Sequence, residues 1–143
     1  MDRPLVILLA DDDPDFVEIN KTILESAGWE VDAVLSSHEV LPQLLRKKYD
    51  LLILDLMMEE MDAGFTVAYA VREHPELRDL PILLLTSAEE RTGFSFQFDK
   101  DKEWMKVDGY AAKPLRPAEL IARVRSMVEN RSVEHRLSYS QTE

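Results

Sequence analysis

The strongest constraint in the chain is a set of apolar runs that are continuous rather than alternating. Leu5–Ala10, Leu51–Leu54 and Ile82–Leu85 are unbroken stretches of aliphatic residues. A strand with one solvated face alternates apolar and polar side chains, so unbroken runs predict strands covered on both faces, as in a parallel sheet between helical layers. Weaker runs at Glu30–Val34 and Gly109–Ala112 bring the expectation to five strands.

Helical patterns fill the gaps. Pro14–Ala27 repeats Phe16, Ile19, Ile23 and Ala27 on one face, with Asp13 as cap, Pro14 in the first turn and Gly28 just past the end. Ser37–Lys47 offers a serine cap followed by Val40, Leu41, Leu44 and Leu45, and Gly64–Glu73 offers Phe65, Ala68 and Val71 before Pro75. Pro117–Asn130 repeats Leu120, Ile121, Val124, Met127 and Val128, with Arg123 and Arg125 nearer its carbonyl end. Strand and helix alternating at short spacing imply right-handed crossovers and a doubly wound α/β sandwich over residues 4–130. Its ligand site is expected beyond the carboxyl ends of the strands. Glu89–Val107 shows no clean period, since Phe94, Phe96, Phe98 and Trp104 sit among charges. Residues 131–143 lose the apolar stripe and are expected to be a frayed or disordered polar tail.

Charge narrows the partners. Seventeen basic against 28 acidic residues leave a net charge of −11, which disfavours direct binding to nucleic acid or an anionic membrane. The chain has no cysteine, so disulfides and thiolate chemistry are excluded. The first apolar run is too short for a signal-peptide core or a membrane-spanning helix, so a soluble, cytoplasmic protein is expected.

Chemistry concentrates at the strand ends. Asp11, Asp12 and Asp13 follow the first strand and Asp55 ends the third, so the fold should bring their carboxylates to one edge. Any one of them could be an ordinary cap or turn former, and Asp13 is read that way. Several together need a cation, because unit charges ~4 Å apart repel by ~4 kcal/mol even at an effective dielectric of ~20. Oxygen ligands without histidine or cysteine favour Mg²⁺, with Mn²⁺ as the alternative, and Mg²⁺ leaves coordination positions for water and phosphate oxygens. Thr86 and Ser87 end the fourth strand with hydroxyls, and Lys113 follows the fifth with an ammonium. Nucleophile, charge neutralisation and oriented donors are the parts that phosphoryl transfer requires.

The segments Ile7-Leu8-Leu9-Ala10-Asp11-Asp12-Asp13-Pro14, Asp50-Leu51-Leu52-Ile53-Leu54-Asp55-Leu56-Met57-Met58, Leu83-Leu84-Leu85-Thr86-Ser87 and Tyr110-Ala111-Ala112-Lys113-Pro114 together resemble the receiver domain of bacterial two-component response regulators. The resemblance covers Pro4 to Asn130 and implies a flavodoxin-like three-layer sandwich. It implies that Asp55 accepts a phosphoryl group from a sensor histidine kinase or phosphotransfer protein. Asp12, Asp55 and the backbone carbonyl of Met57 would bind Mg²⁺, with Asp11 acting through water. Thr86 would bond the phosphoryl group, Lys113 would pair with it across a cis Lys113–Pro114 bond, and Tyr110 would swing toward the space that Thr86 vacates. The output would be a phosphorylation-dependent surface for a downstream protein, on the face of helix four, strand five and helix five, and a phosphorylation-dependent homodimer is left open. A polar tail of this length could not form a DNA-binding output domain, so a single-domain regulator is expected.

The chain also departs from the family. The usual Pro-Gly turn after the acceptor is replaced by Glu59-Glu60, and the segment between Thr86 and Lys113 is longer than usual. Glu59 is read as solvated rather than metal-bound. The four aromatics of the long segment are read as packing, or as a docking site if exposed. His38, His74 and His135 stand at unrelated places and none is read as a ligand. Two other functions compete: an aspartyl-phosphate phosphatase of the haloacid dehalogenase type, built on Asp11-Asp12-Asp13, and a degenerate receiver that only binds.

Overall fold

A computed structural model describes residues 4–56, 58, 63–86 and 107–141, with backbone alone for Phe65 and residues 130–141. In chain order the elements are β1 (Val6–Ala10), α1 (Pro14–Glu25), β2 (Glu30–Val34), a 3-10 turn (Ser37–Glu39), α2 (Val40–Arg46), β3 (Leu51–Asp55), α3 (Ala63–Glu73), β4 (Ile82–Thr86), β5 (Gly109–Ala112) and α4 (Pro117–Gln141). The five strands form one parallel sheet in the order β2-β1-β3-β4-β5.

The unbroken apolar runs have the expected cause. Every residue of β1, β3 and β4 is buried, because alternate side chains enter two different cores. Leu8, Leu52, Leu54 and Leu84 pack with Val40 and Leu44 of α2 and Ala68 and Val71 of α3. Ile7, Leu9, Leu51, Ile53, Leu83 and Leu85 pack with Val17 and Leu24 of α1 and Leu120 and Val124 of α4. Truncating any of these leucines to alanine costs about 2–5 kcal/mol.

Two aspartates pin the register at the opposite end of the sheet. Asp50, just before β3, accepts the Val6 N–H at 2.8 Å through its side chain. Asp108, just before β5, accepts the Ile82 N–H at 2.8 Å in the same way. Arg72 of α3 pairs with Asp108 and donates to the Leu80 carbonyl, tying helix to strand.

Three helix expectations need correction. Helix α1 starts as expected, with Asp13 accepting from the Asp15 and Phe16 N–H groups, Pro14 in its first turn and Gly28 beyond it at φ +91°. Its buried face, however, is Val17, Asn20 and Leu24, flanked by Phe16 and Ile23, while Ile19 is 59% exposed. Asn20 fills an inward position because its side-chain amide donates to the Phe16 carbonyl at 2.8 Å, satisfying a polar group that burial would otherwise penalise. The segment expected as one helix from Ser37 begins as a 3-10 turn capped by Ser36, and Leu45 faces solvent. Helix α4 does not stop at Asn130, where its apolar stripe ends: its backbone runs on to Gln141. No proline or glycine follows Pro117, so nothing in the chain breaks the helix there. Ser87, Glu89 to Lys106, Met57, Glu59 and Glu60 lie outside the described residues, and with them the expectations placed on the long aromatic segment and the acidic turn. Among the described residues, no helix is long and apolar enough to cross a membrane.

Candidate functional site

Strands β1 and β3 are neighbours, and from them the sheet grows outward in opposite directions to β2 and β4. This is the switch point where a doubly wound sheet opens a crevice beyond its carboxyl ends. Asp55 ends β3, and Asp11 follows β1 with its backbone N–H held by the Val34 carbonyl. One ligand oxygen from each of Asp11, Asp12 and Asp55 falls within a span of 4.8 Å. Asp11 and Asp55 are buried, whereas Asp12 is exposed and forms the solvent side of the cluster.

The ammonium of Lys113 closes the group. Its Nζ lies 2.8 Å from Asp11 Oδ2 and 3.3 Å from Asp55 Oδ1. Three carboxylates against one ammonium still leave two formal negative charges, an arrangement suited to a divalent cation with hard oxygen ligands. Burial alone would push the Lys113 pKa down. The hydrogen bond to Asp11 and the charges of Asp55 and Asp11 outweigh it and raise the value above the ordinary lysine range. The lysine is therefore a fixed positive charge beside Asp11 and Asp55.

Backbone contacts set these side chains. The Lys113 N–H donates to the Thr86 carbonyl at 2.6 Å, linking the ends of β4 and β5, and the Lys113–Pro114 bond is cis. Thr86 is fully buried, and its Oγ1 has no hydrogen-bond partner among the described residues. Tyr110 of β5 is half-buried against the α2 and α3 core. The structure thus brings Asp11, Asp12, Asp55 and Lys113 into direct proximity and places Thr86 on the adjoining strand end. The Met57 carbonyl lies outside the described residues.

Two site residues escaped the sequence. Gly64, in the first turn of α3, approaches β3 so closely that a Cβ there would lie 2.7 Å from both the Asp55 carbonyl oxygen and the Leu56 Cα. Its N–H donates to the Leu56 carbonyl at 2.7 Å, seating the helix beside the end of β3 and Asp55. A glycine opening a helical pattern was the only available signal. Phe16 is the second: its ring lies beneath the Lys113 ammonium, 4.2 Å from Nζ to ring centroid. Its place in the apolar stripe of α1 marked it only as core.

Comparison with known proteins agrees with this geometry. The chain is 31% identical over 122 residues to the transcriptional regulatory protein GltR of Pseudomonas aeruginosa, a match covering 85% of this chain and 48% of that protein. It is 33% identical over 142 residues to the transcriptional regulatory protein YvrH of Bacillus subtilis, covering 95% and 54%. The chain therefore spans about half the length of these curated relatives. Among solved structures, it is similar to Vibrio cholerae chemotaxis protein CheY4, with TM-score 0.76 and 25% identity, covering 87% of this chain and 99% of that one. A sensor protein from Polaromonas sp. JS666 gives TM-score 0.77 and 27% identity, covering 91% and 99%. Residues 7–125 match the family described as the response regulator receiver domain, and with its fold and acidic crevice in place the chain belongs to that family.

Proposed function

We propose that Asp55 is the phosphoacceptor of a phosphorylation-driven switch. A carboxylate oxygen of Asp55 attacks the phosphorus of a phosphohistidine on a sensor kinase or phosphotransfer protein. A P–O bond forms, the P–N bond breaks, and the imidazole leaves with the bonding pair. What supports this function above all is the convergence of Asp55 with Asp11, Asp12 and Lys113 from three separate stretches of chain at one sheet edge.

The acidic donor set fits a hard divalent ion, Mg²⁺ or Mn²⁺, held by Asp12, Asp55 and the Met57 carbonyl, with Asp11 acting through water. When bound, such an ion supplies charge neutralisation for the phosphoryl oxygens. Lys113, already beside Asp55, pairs with the transferred group, and the buried Thr86 hydroxyl donates to it. A phosphoryl group adds about −1.5 to −2 charges at one point, so only a conformation that draws Thr86 and Lys113 inward gains differentially. Tyr110, on β5 next to Lys113's strand end, takes the space that Thr86 vacates. The altered face then engages a downstream protein, or a second copy of the chain.

Met57 and Ala88, two positions beyond Asp55 and Thr86, carry no polar side chain to orient an attacking water. The acyl phosphate is therefore expected to be long-lived, and rapid loss from purified protein in Mg²⁺ buffer contradicts this. The function itself is tested by intact mass after incubation with acetyl phosphate and Mg²⁺. The parent gains one phosphoryl group and Asp55→Asn gains none; equal labelling of both proteins refutes the assignment.

A further inference from the structure

Lys113 is held by more than the two carboxylates, and the additional contacts close a ring. Its ammonium donates to Asp11 Oδ2 at 2.8 Å. The other oxygen of Asp11 accepts the Asp13 N–H at 3.0 Å. Asp13 in turn caps α1, its Oδ1 accepting the N–H groups of Asp15 and Phe16 at 3.0 and 3.3 Å. Phe16 returns to the start by placing its ring face 4.2 Å from the Lys113 nitrogen. The lysine side chain is about one-fifth exposed, so this cation–π contact forms in a largely desolvated setting, where it is stronger than at an open surface.

The ring bears on what happens when charge in the crevice is redistributed. Lys113 is shared between Asp11 and Asp55, both members of the acidic cluster. A divalent cation entering that cluster competes with the ammonium for the same carboxylate oxygens. Among the described residues, the Phe16 face is the one side-chain partner of Lys113 that such an ion does not compete for, since it is uncharged and belongs to a helix seated by its own cap. An ammonium released by Asp11 thus keeps a support within reach of Asp55 instead of relaxing into water.

We propose that Phe16 is a positioning residue for phosphoryl acceptance: its ring face keeps the Lys113 ammonium at Asp55 as the acidic cluster fills. This rests on Asp55 being the acceptor. It adds that the first turn of α1, through the Asp13 cap, is mechanically part of the acceptor site.

The test uses the full chain with acetyl phosphate and Mg²⁺, comparing the parent with Phe16→Leu, which keeps apolar bulk without a π face, and Phe16→Tyr, which keeps the face. The initial phosphorylation rate of Phe16→Leu is expected to fall by about three- to thirty-fold, the range of a partly to fully desolvated cation–π contact, with Phe16→Tyr near the parent. A structural readout accompanies the rates. In the unphosphorylated parent the Lys113 side-chain methylene protons, assigned by their loss in Lys113→Arg, show an upfield ring-current displacement that disappears in Phe16→Leu and persists in Phe16→Tyr. Parent-like phosphorylation of Phe16→Leu, or an equal fall in Phe16→Tyr, overturns the inference while leaving the acceptor assignment standing. Absence of the ring-current displacement in the parent overturns it even if Phe16→Leu fails to fold. Failure of the parent itself to gain phosphate overturns the acceptor assignment instead.

Discussion

Thr86 is fully buried, and its hydroxyl finds no partner among the described residues. A buried hydroxyl without a hydrogen bond is a net cost, and an isosteric methyl removes it. Thr86→Val is therefore expected to leave the urea midpoint unchanged or raise stability by about 1 kcal/mol, while weakening the phosphorylation-induced conformational change. Loss of stability in this variant would mean that the hydroxyl is already bonded in the resting protein. Lys113 makes the complementary case, a group paired with Asp11 and Asp55 among the described residues. Its pKa is raised, so its contribution to stability is complete below about pH 10.4 and is lost as pH climbs through the higher folded-state value. The stability gap between the parent and Lys113→Met should stay level from neutral pH to about pH 10 and narrow above it. A gap that ignores alkaline pH would show that the ion pairs with Asp11 and Asp55 do not stabilise the fold.

At the scale of elements, Gly64 is where α3 meets β3. A methyl group there collides with the Asp55 carbonyl oxygen and the Leu56 backbone, neither of which can yield as a flexible side chain could. Gly64→Ala is expected to cost about 1–3 kcal/mol in denaturant unfolding and to slow the proposed phosphorylation, because the strain is released beside Asp55. Unchanged stability would mean that α3 slides freely over the strand end. Strands β1, β3 and β4 were legible because burial on both faces writes itself as an unbroken apolar run. Helix faces were less so. The stripe of α1 was assigned through Ile19, yet Asn20 occupies the inward position, since a side chain that bonds its own helix backbone hides its polarity. The end of α4 lies beyond Asn130 because a fading apolar stripe does not by itself stop a helical backbone. The roles of Asp50 and Asp108 as register pins depend on side-chain to backbone bonds between distant segments, which no local pattern encodes.

For the molecule as a whole, an excess of acid is concentrated where the sheet changes direction. With two formal negative charges left among Asp11, Asp12, Asp55 and Lys113, the proposed divalent cation would bind the native state and not the unfolded chain. The unfolding temperature should therefore rise saturably with Mg²⁺, by about 2.7 kcal/mol of stability at a hundredfold excess over the dissociation constant, and return to baseline on chelation. Asp12→Ala should abolish most of the rise, and an equal response in that variant would place the ion elsewhere. The position of this cluster followed from sequence because a topological rule sends ligands to the carboxyl ends at the switch point. The contributions of Gly64 and Phe16 did not, because both depend on how closely a helix approaches the sheet. Borohydride reduction of the phosphorylated chain followed by peptide mapping decides which carboxylate accepts the phosphoryl group, since the acyl phosphate of an aspartate is reduced to homoserine where it stands. Homoserine is expected at Asp55 alone; homoserine at Asp11 or Asp12, or none in a protein that has gained phosphate, would rule out Asp55 as the phosphoacceptor.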